Sequence, residues 1–114
     1  MRTNYELCRK ILIAIADADI HTDVSNYNIC QEEHPDIIGW HIGKLIAEGY
    51  VTAIDARSKD GQFDYICVEL TPSGERFLNS IENNNRWTKA KQYLQDNALE
   101  ISFRAIEIAV KRFC

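Results

Sequence analysis

The sequence has no uninterrupted apolar run of the roughly 18 residues that a membrane span requires. Its first residues also lack the charged start, apolar stretch and small-residue cleavage site of a secretory signal peptide. The four cysteines, Cys8, Cys30, Cys67 and Cys114, show no paired spacing, so reduced, structural thiols are expected rather than a disulfide framework. We therefore expect a cytoplasmic protein that makes no membrane contact.

Motifs of catalysis and cofactor binding are also missing. The chain has no Gly-rich phosphate loop, no G-x-S-x-G elbow and no H-E-x-x-H helix. Cys30 and His34 lie four residues apart and are a candidate metal or thiolate–imidazole pair, but zinc needs three or four protein ligands. The remaining ligands would have to come from His21 and His41. We expect neither an enzyme nor a metal, cofactor or small-molecule substrate.

What is present is the composition of one small globular domain. Hydrophobic residues make up 46% and charged residues 26% of the 114-residue chain, which are ordinary values for a folded protein. The formal net charge of −4 argues against a protein covered on all sides by nucleic-acid-binding cations. Residues 86–114 reverse this balance, with six basic and three acidic side chains.

Helix signals occupy the first half of the chain. Thr3 and Glu6 form a T-x-x-E capping box and predict the start of a first helix. Its apolar stripe has helical spacing: Cys8, Ile11, Leu12 and Ile15. Residues 18–33 are rich in turn formers and predict a loop, with a short strand or a single helical turn within it as alternatives. Pro35 suits the first position of a second long helix and Gly49 suits its left-handed cap. Its buried stripe is Ile38, Ile42, Leu45 and Ile46.

Strands and further helices follow. Residues 50–55 and 63–70 predict a hairpin with a polar tip, in which Ile66, Val68 and Leu70 alternate onto one face. Cys67 is expected to act there as a small hydrophobe. Thr71 then caps a helix that stops at the Asn83–Asn85 run, and this run caps the next helix. Ser102 caps a last helix with the stripe Phe103, Ile106, Val110 and Phe113.

Two strings carry a family resemblance. Residues 41–51, H-I-G-K-L-I-A-E-G-Y-V, resemble the end of a winged-helix recognition helix where it turns into the wing. Residues 69–78, E-L-T-P-S-G-E-R-F-L, resemble the junction after the second wing strand. With residues 5–12 and 87–91, these strings make nearly the whole chain similar to an uncharacterised winged-helix family of phages and prophages, known as a domain of unknown function.

The resemblance implies an α+β fold, a winged helix-turn-helix with a two-stranded wing and two extra C-terminal helices. We expect a winged-helix domain at residues 1–82 and a helical extension at 83–114 packed on it, as a single compact domain overall. A mobile-element origin is also implied. Two functions stay open: a DNA-binding transcriptional regulator, and a protein-binding module such as a phage-encoded inhibitor of a host defence complex.

Candidate binding residues for duplex DNA or a host protein fall into three groups. The second helix, the hairpin tip and the fourth helix contribute Trp40, His41, Lys44, Arg57, Lys59, Arg86, Lys89 and Lys91. In the DNA interpretation the helix enters a groove and the wing meets the phosphate backbone. The structural alternatives are packing of the aromatic rings and solvated cations. The stripe of the last helix is widened by Ile108 and Ala109, and it predicts either a homodimer seam or packing on the first helix.

Overall fold

The computed structural model describes residues 1–58 and 61–113. Over these residues the chain is α+β, with five helices and one two-stranded antiparallel sheet. The elements are α1 (Tyr5–Asp17), α2 (Pro35–Ala47), β1 (Val51–Asp55), β2 (Tyr65–Leu70), α3 (Pro72–Ile81), α4 (Asn84–Asp96) and α5 (Phe103–Lys111). The chain divides into two compact units, unit 1 (Met1–Glu75) and unit 2 (from Arg76 onward), with the boundary inside α3.

The start of α1 differs from the predicted capping box. The N-cap is Asn4, not Thr3, and its side-chain oxygen accepts a hydrogen bond from the Leu7 amide at 3.0 Å. The Asn4 amide in turn donates to Nε2 of His41, 3.0 Å away. The Asn4 amide therefore has its acceptor on a distant helix, because Leu7, three positions after it, carries no side-chain acceptor. The predicted apolar stripe of α1 is confirmed, since all four of its members are buried.

The helix α2 has the ends that its sequence predicts. Pro35 is its first residue, and Gly49 follows the helix with a φ of 79°, a conformation that residues with a Cβ rarely adopt. Ile38, Ile42 and Leu45 are fully buried, which leaves the opposite side of α2 open.

The loop before α2 is fixed by hydrogen bonds to main-chain atoms rather than by secondary structure of its own. The side chain of Asn26, which is 1% exposed, donates to the carbonyls of Pro35 and Phe63 and accepts from the Tyr65 amide. The Val68 amide donates to the Val24 carbonyl at 3.0 Å. The loop therefore joins the start of α2 to β2.

The pairing of β1 with β2 contains an irregularity that the alternating pattern of β2 does not predict. Thr52 pairs with Glu69, but Ile54 pairs with Ile66, so the register shifts between them. Cys67 lies at this shift with a φ of 53° and is exposed. The extra residue breaks the alternation. The prediction that Ile66, Val68 and Leu70 share one face, with Cys67 packed as a hydrophobe, is wrong; Tyr65 and Val68 are the buried residues of β2.

The start of α3 is held against the start of β1. Thr71 is the predicted cap: its hydroxyl accepts from the Gly74 amide and donates to the Gly49 carbonyl. A Cβ on Gly74 would lie 1.9 Å from the Tyr50 carbonyl oxygen. Only a glycine lets the helix approach the backbone this closely.

Unit 2 contains α4 and α5, which begin where the sequence predicts. Asn83 and Ser102 are their N-caps, with side-chain oxygens that accept from the Arg86 and Ala105 amides respectively. The stripe of α5 is confirmed in part, because Phe103, Ile106 and Val110 are buried whereas α5 ends at Lys111 and Phe113 is 37% exposed.

Candidate binding surface

The open side of α2 is the first candidate surface. It consists of the half-buried or exposed residues Asp36, Trp40, Gly43, Lys44 and Ala47, which we call the α2 face. The helix buries one wide stripe, so residues spaced three and four positions apart on the other side form a continuous surface.

Trp40 and Lys44 form one unit of the α2 face. The Lys44 Nζ lies 4.6 Å from the centroid of the Trp40 ring, within the range of a cation–π interaction. The edge of the same ring meets the His41 imidazole, with centroids 5.0 Å apart and planes at 69°. Trp40 is half-buried and Lys44 is exposed, so the cation and the indole reach solvent together.

His41, a predicted binding residue, lies in the core rather than on the α2 face. It is 1% exposed. Its Nε2 accepts from the Asn4 amide, so Nδ1 carries the proton and donates to the Ile37 carbonyl at 2.8 Å. Both ring nitrogens are therefore occupied within the fold. Its role is to join the start of α1 to α2.

The hairpin approaches α2 at Gly39, and sequence reasoning did not include the residue that makes this contact, Phe63. A Cβ on Gly39 would lie 2.4 Å from the Phe63 Cβ. The Phe63 amide donates to Asp36 Oδ1 at 3.1 Å, and the Phe63 carbonyl accepts from the Tyr27 hydroxyl. The sequence signal for this contact is Gly39 itself. A glycine inside a helix costs about 1 kcal/mol relative to alanine, so its presence indicates that a neighbour packs close to the backbone there.

The cation at the base of the hairpin tip is already paired. The Arg57 guanidinium donates to Asp55 Oδ2 at 2.9 Å and lies 5.0 Å from the centroid of the Phe63 ring. The side-chain hydrogen bond from Arg57 holds the pKa of Asp55 below its usual value. Arg57 therefore adds little net positive charge to this surface. Lys59, the other predicted cation of the tip, lies outside the described residues.

Charge around the α2 face is acidic rather than basic. Unit 1 has thirteen acidic and six basic side chains. Near the α2 face and the hairpin, Asp36, Glu48 and Asp64 accompany Lys44 and the Arg57–Asp55 pair. A duplex would meet an unfavourable field over this unit, since protein–DNA affinity depends on cations that replace phosphate counterions.

The basic residues predicted in unit 2 do not share one side of α4. Lys89 and Lys91 are two positions apart and so point about 200° apart around the helix. Lys91 Nζ lies 5.3 Å from the centroid of the Trp87 ring, and Arg86 donates to the Ser80 carbonyl at 3.4 Å. Arg86 and Lys89 remain on one side, separated from Lys91.

An exposed isoleucine lies among cations on the outer side of α5. Ile108 is 55% exposed, and helical spacing places Arg104, Lys111 and Arg112 next to it. A symmetric dimer brings identical patches together, so a seam here would set cations against cations. This charge pattern disfavours a dimer seam centred on Ile108; the homodimer otherwise stays a prediction.

The cysteines and histidines of the described residues do not assemble a metal site. No group of three potential ligands is found in residues 1–58 and 61–113. His34 Nδ1 accepts from the Asp36 amide at 3.1 Å, and burial, followed by the nearby Glu32 charge, raises the pKa of Cys30. Burial raises the pKa of Cys8 to about 12. These thiols are therefore kept protonated at neutral pH.

In the described part of the chain, every helix is too short or too polar to cross a membrane.

Comparison with known proteins adds a family. No curated protein and no solved structure matches the chain. The model of the family described as Hypothetical protein (DUF2513) matches residues 2–100, which is most of the sequence and reaches into both units. The chain therefore belongs to the DUF2513 family.

Proposed function

We propose that unit 1 is a winged helix that binds a protein partner through the α2 face and the adjoining hairpin. The order α1, loop, α2, hairpin and α3 supports the winged helix. The 3.0 Å backbone bond from Val68 to Val24 supports it as well, because it joins the loop between the two helices to the wing. In this assignment α2 is the recognition helix and β1 with β2 is the wing.

The acidic charge of unit 1 favours a protein partner over DNA. Thirteen acidic side chains oppose six basic ones, and Arg57, a cation of the wing, is bonded to Asp55. Non-specific DNA binding is supplied almost entirely by Lys and Arg contacts to phosphates. A recognition surface with this balance lacks that contribution.

Trp40 gives the proposed interface its anchor. Tryptophan is enriched among the few residues that supply most of the energy of protein interfaces. Here the indole is held by His41 at one edge and by Lys44 over its ring, so little side-chain entropy is lost when a partner covers it. Gly43 and Ala47, on the same side of α2, carry no bulky side chain that would cover the indole. If the mobile-element origin holds, a protein complex of the host is the expected partner.

DNA binding is the second candidate, and the exposure of Lys44 on the proposed recognition helix favours it. In a winged helix this position can reach a phosphate or a base edge. This candidate predicts duplex binding that weakens with salt and is reduced by Lys44→Ala and by Arg57→Ala.

The test compares variants in two assays. The wild-type protein, Trp40→Ala and the control Phe113→Ala are tagged and expressed in cells of the source organism. After cross-linking and purification, co-purifying proteins are quantified by mass spectrometry. We expect a partner that is retained by the control and lost with Trp40→Ala. In parallel, labelled duplex DNA is titrated at low salt. Salt-sensitive DNA binding that needs Lys44, without any Trp40-dependent protein, would contradict the proposal and support the regulator.

A further inference from the structure

A groove in unit 1 lies beside the outer edge of β2. It is a cavity of about 390 Å³, and an adjoining one of about 270 Å³ shares several of its residues. The buried side chains of Ile15, Val24 and Val68 form its apolar floor. Ile20, which is 92% exposed, lines both cavities. No residue of the α2 face lines either one.

The groove borders a strand edge that has main-chain groups to offer. The Thr71 amide donates to the Tyr50 carbonyl on the β1 side. Because successive residues of a strand direct their amides to opposite edges, the Leu70 amide and carbonyl point away from β1. The Val68 amide points the same way and meets Val24. Beyond that bond the groove separates the loop from β2, and Leu70 lines it.

The charged residues that line the groove are acidic. Asp19, Asp23, Glu69 and Glu75 surround the apolar floor, all of them exposed. Among the described residues that line the two cavities there is no Lys or Arg. Asp19 and Asp23 are held in place, because each accepts a hydrogen bond from a backbone amide, that of His21 and of Cys67 respectively.

We propose that this groove binds an extended, basic segment of a partner protein, whose main chain pairs with the Leu70 amide and carbonyl at the outer edge of β2, beyond the Val68–Val24 bond. Main-chain hydrogen bonds supply affinity in this mode of recognition, and pockets for alternate side chains supply specificity. Aliphatic side chains of the segment pack on Val24 and Val68, and its Lys or Arg side chains meet Glu69 and Glu75. The site is separate from the α2 face and does not depend on the function proposed for it.

A designed peptide tests the groove directly. The probe is a short, end-blocked peptide of alternating lysine and valine, titrated into the full chain and followed by nuclear magnetic resonance. We expect backbone shifts at Val68, Glu69 and Leu70. The double variant Glu69→Gln, Glu75→Gln should weaken binding about fivefold, as two exposed ion pairs allow.

Two controls separate the proposed mode from general attraction to an acidic surface. Glu32→Gln with Glu33→Gln removes the same charge from exposed residues outside the groove and should leave the affinity unchanged. A peptide methylated on alternate amides keeps its charge but cannot complete a strand, and it should not bind. Equal weakening by both double variants, binding of the methylated peptide, or no binding at low salt would overturn the proposal. Trp40→Ala should bind the peptide as the wild type does.

Discussion

The imidazole of His41 caps a helix to which it does not belong. Its Nε2 accepts from the amide of Asn4, which lies 37 positions earlier in the chain, at the start of α1. Helices leave their first amides without internal partners, and here a side chain of α2 supplies one of them. The contact fixes the position of α1 against α2. It also orients the His41 ring, which packs against the edge of Trp40.

His41→Ala should therefore destabilise unit 1. The substitution leaves the Asn4 amide without its acceptor and opens space in the core, at a cost of about 2 to 4 kcal/mol. Chemical denaturation followed by circular dichroism measures the loss. His21→Ala, at an exposed histidine, is the control and should change stability by less than about 0.5 kcal/mol. Equal stability of the two variants would show that the cap is energetically unimportant.

The two glycines inside α2 should respond differently to replacement by alanine. At Gly39 a Cβ meets Phe63 Cβ at 2.4 Å, whereas at Gly43 the nearest atom is the Tyr65 hydroxyl at 3.3 Å. We expect Gly39→Ala to cost about 1 to 3 kcal/mol by overpacking. Gly43→Ala should be neutral or stabilise by up to about 1 kcal/mol through helix propensity. Thermal unfolding of both variants gives the comparison, and a gain at Gly39 would contradict the close approach of the hairpin.

Replacing Ala98 with glycine should stabilise the protein. It follows α4 with a φ of 51°, and the Leu99 amide donates back to the Leu94 carbonyl, the arrangement of a left-handed helix end that favours glycine. Ala98→Gly should stabilise the chain by up to about 1 kcal/mol. The control is Ala16→Gly in α1, where the same substitution should cost about 1 kcal/mol. A loss at both positions would contradict the left-handed conformation.

The bond between Arg57 and Asp55 makes a prediction about pH. Arg57→Ala removes the side-chain hydrogen bond that is the main cause of the lowered pKa of Asp55. The backbone amide of residue 57 still donates to Asp55, so this pKa should rise but stay below its ordinary value. A lowered carboxyl pKa stabilises the folded state above the unfolded-state value, and the effect disappears as the pH falls through the folded-state value. Both groups are exposed, so the stability change should be small. Carboxyl carbon titration by nuclear magnetic resonance measures the shift; Lys44→Ala should not alter it.

Helix ends were the part of the fold that the sequence predicts best. Pro35, Thr71 and Ser102 are caps or first residues as predicted, because each acts on amides within a few positions of itself. Thr3 was predicted as a cap for the same local reason, and Asn4 takes its place. Asparagine caps by the same local rule, through the bond from the Leu7 amide. The additional contact between Asn4 and His41 is one that no short pattern contains.

The candidate site was predictable only in outline. The pattern of α2 places Trp40 and Lys44 off the buried stripe, and both reach the surface. The same pattern places His41 off the buried stripe, but this side chain is buried and accepts a hydrogen bond from the Asn4 amide at the start of α1. The bulge at Cys67 and the buried amide of Asn26 depend on how the loop meets β2. Pairings of this kind join residues about forty positions apart, and periodicity does not report them.

The buried amide of Asn26 has an evolutionary consequence. Its three hydrogen bonds all go to main-chain atoms, two carbonyls and one amide. The side chains of Pro35, Phe63 and Tyr65 take no part in these bonds and are free to diverge among relatives without breaking them. A substitution at Asn26 itself would leave the two carbonyls and the amide without this hydrogen-bond partner. Position 26 should therefore stay invariant in family members that keep this loop, and a change of side chain at position 35, 63 or 65 should not by itself require a change at position 26.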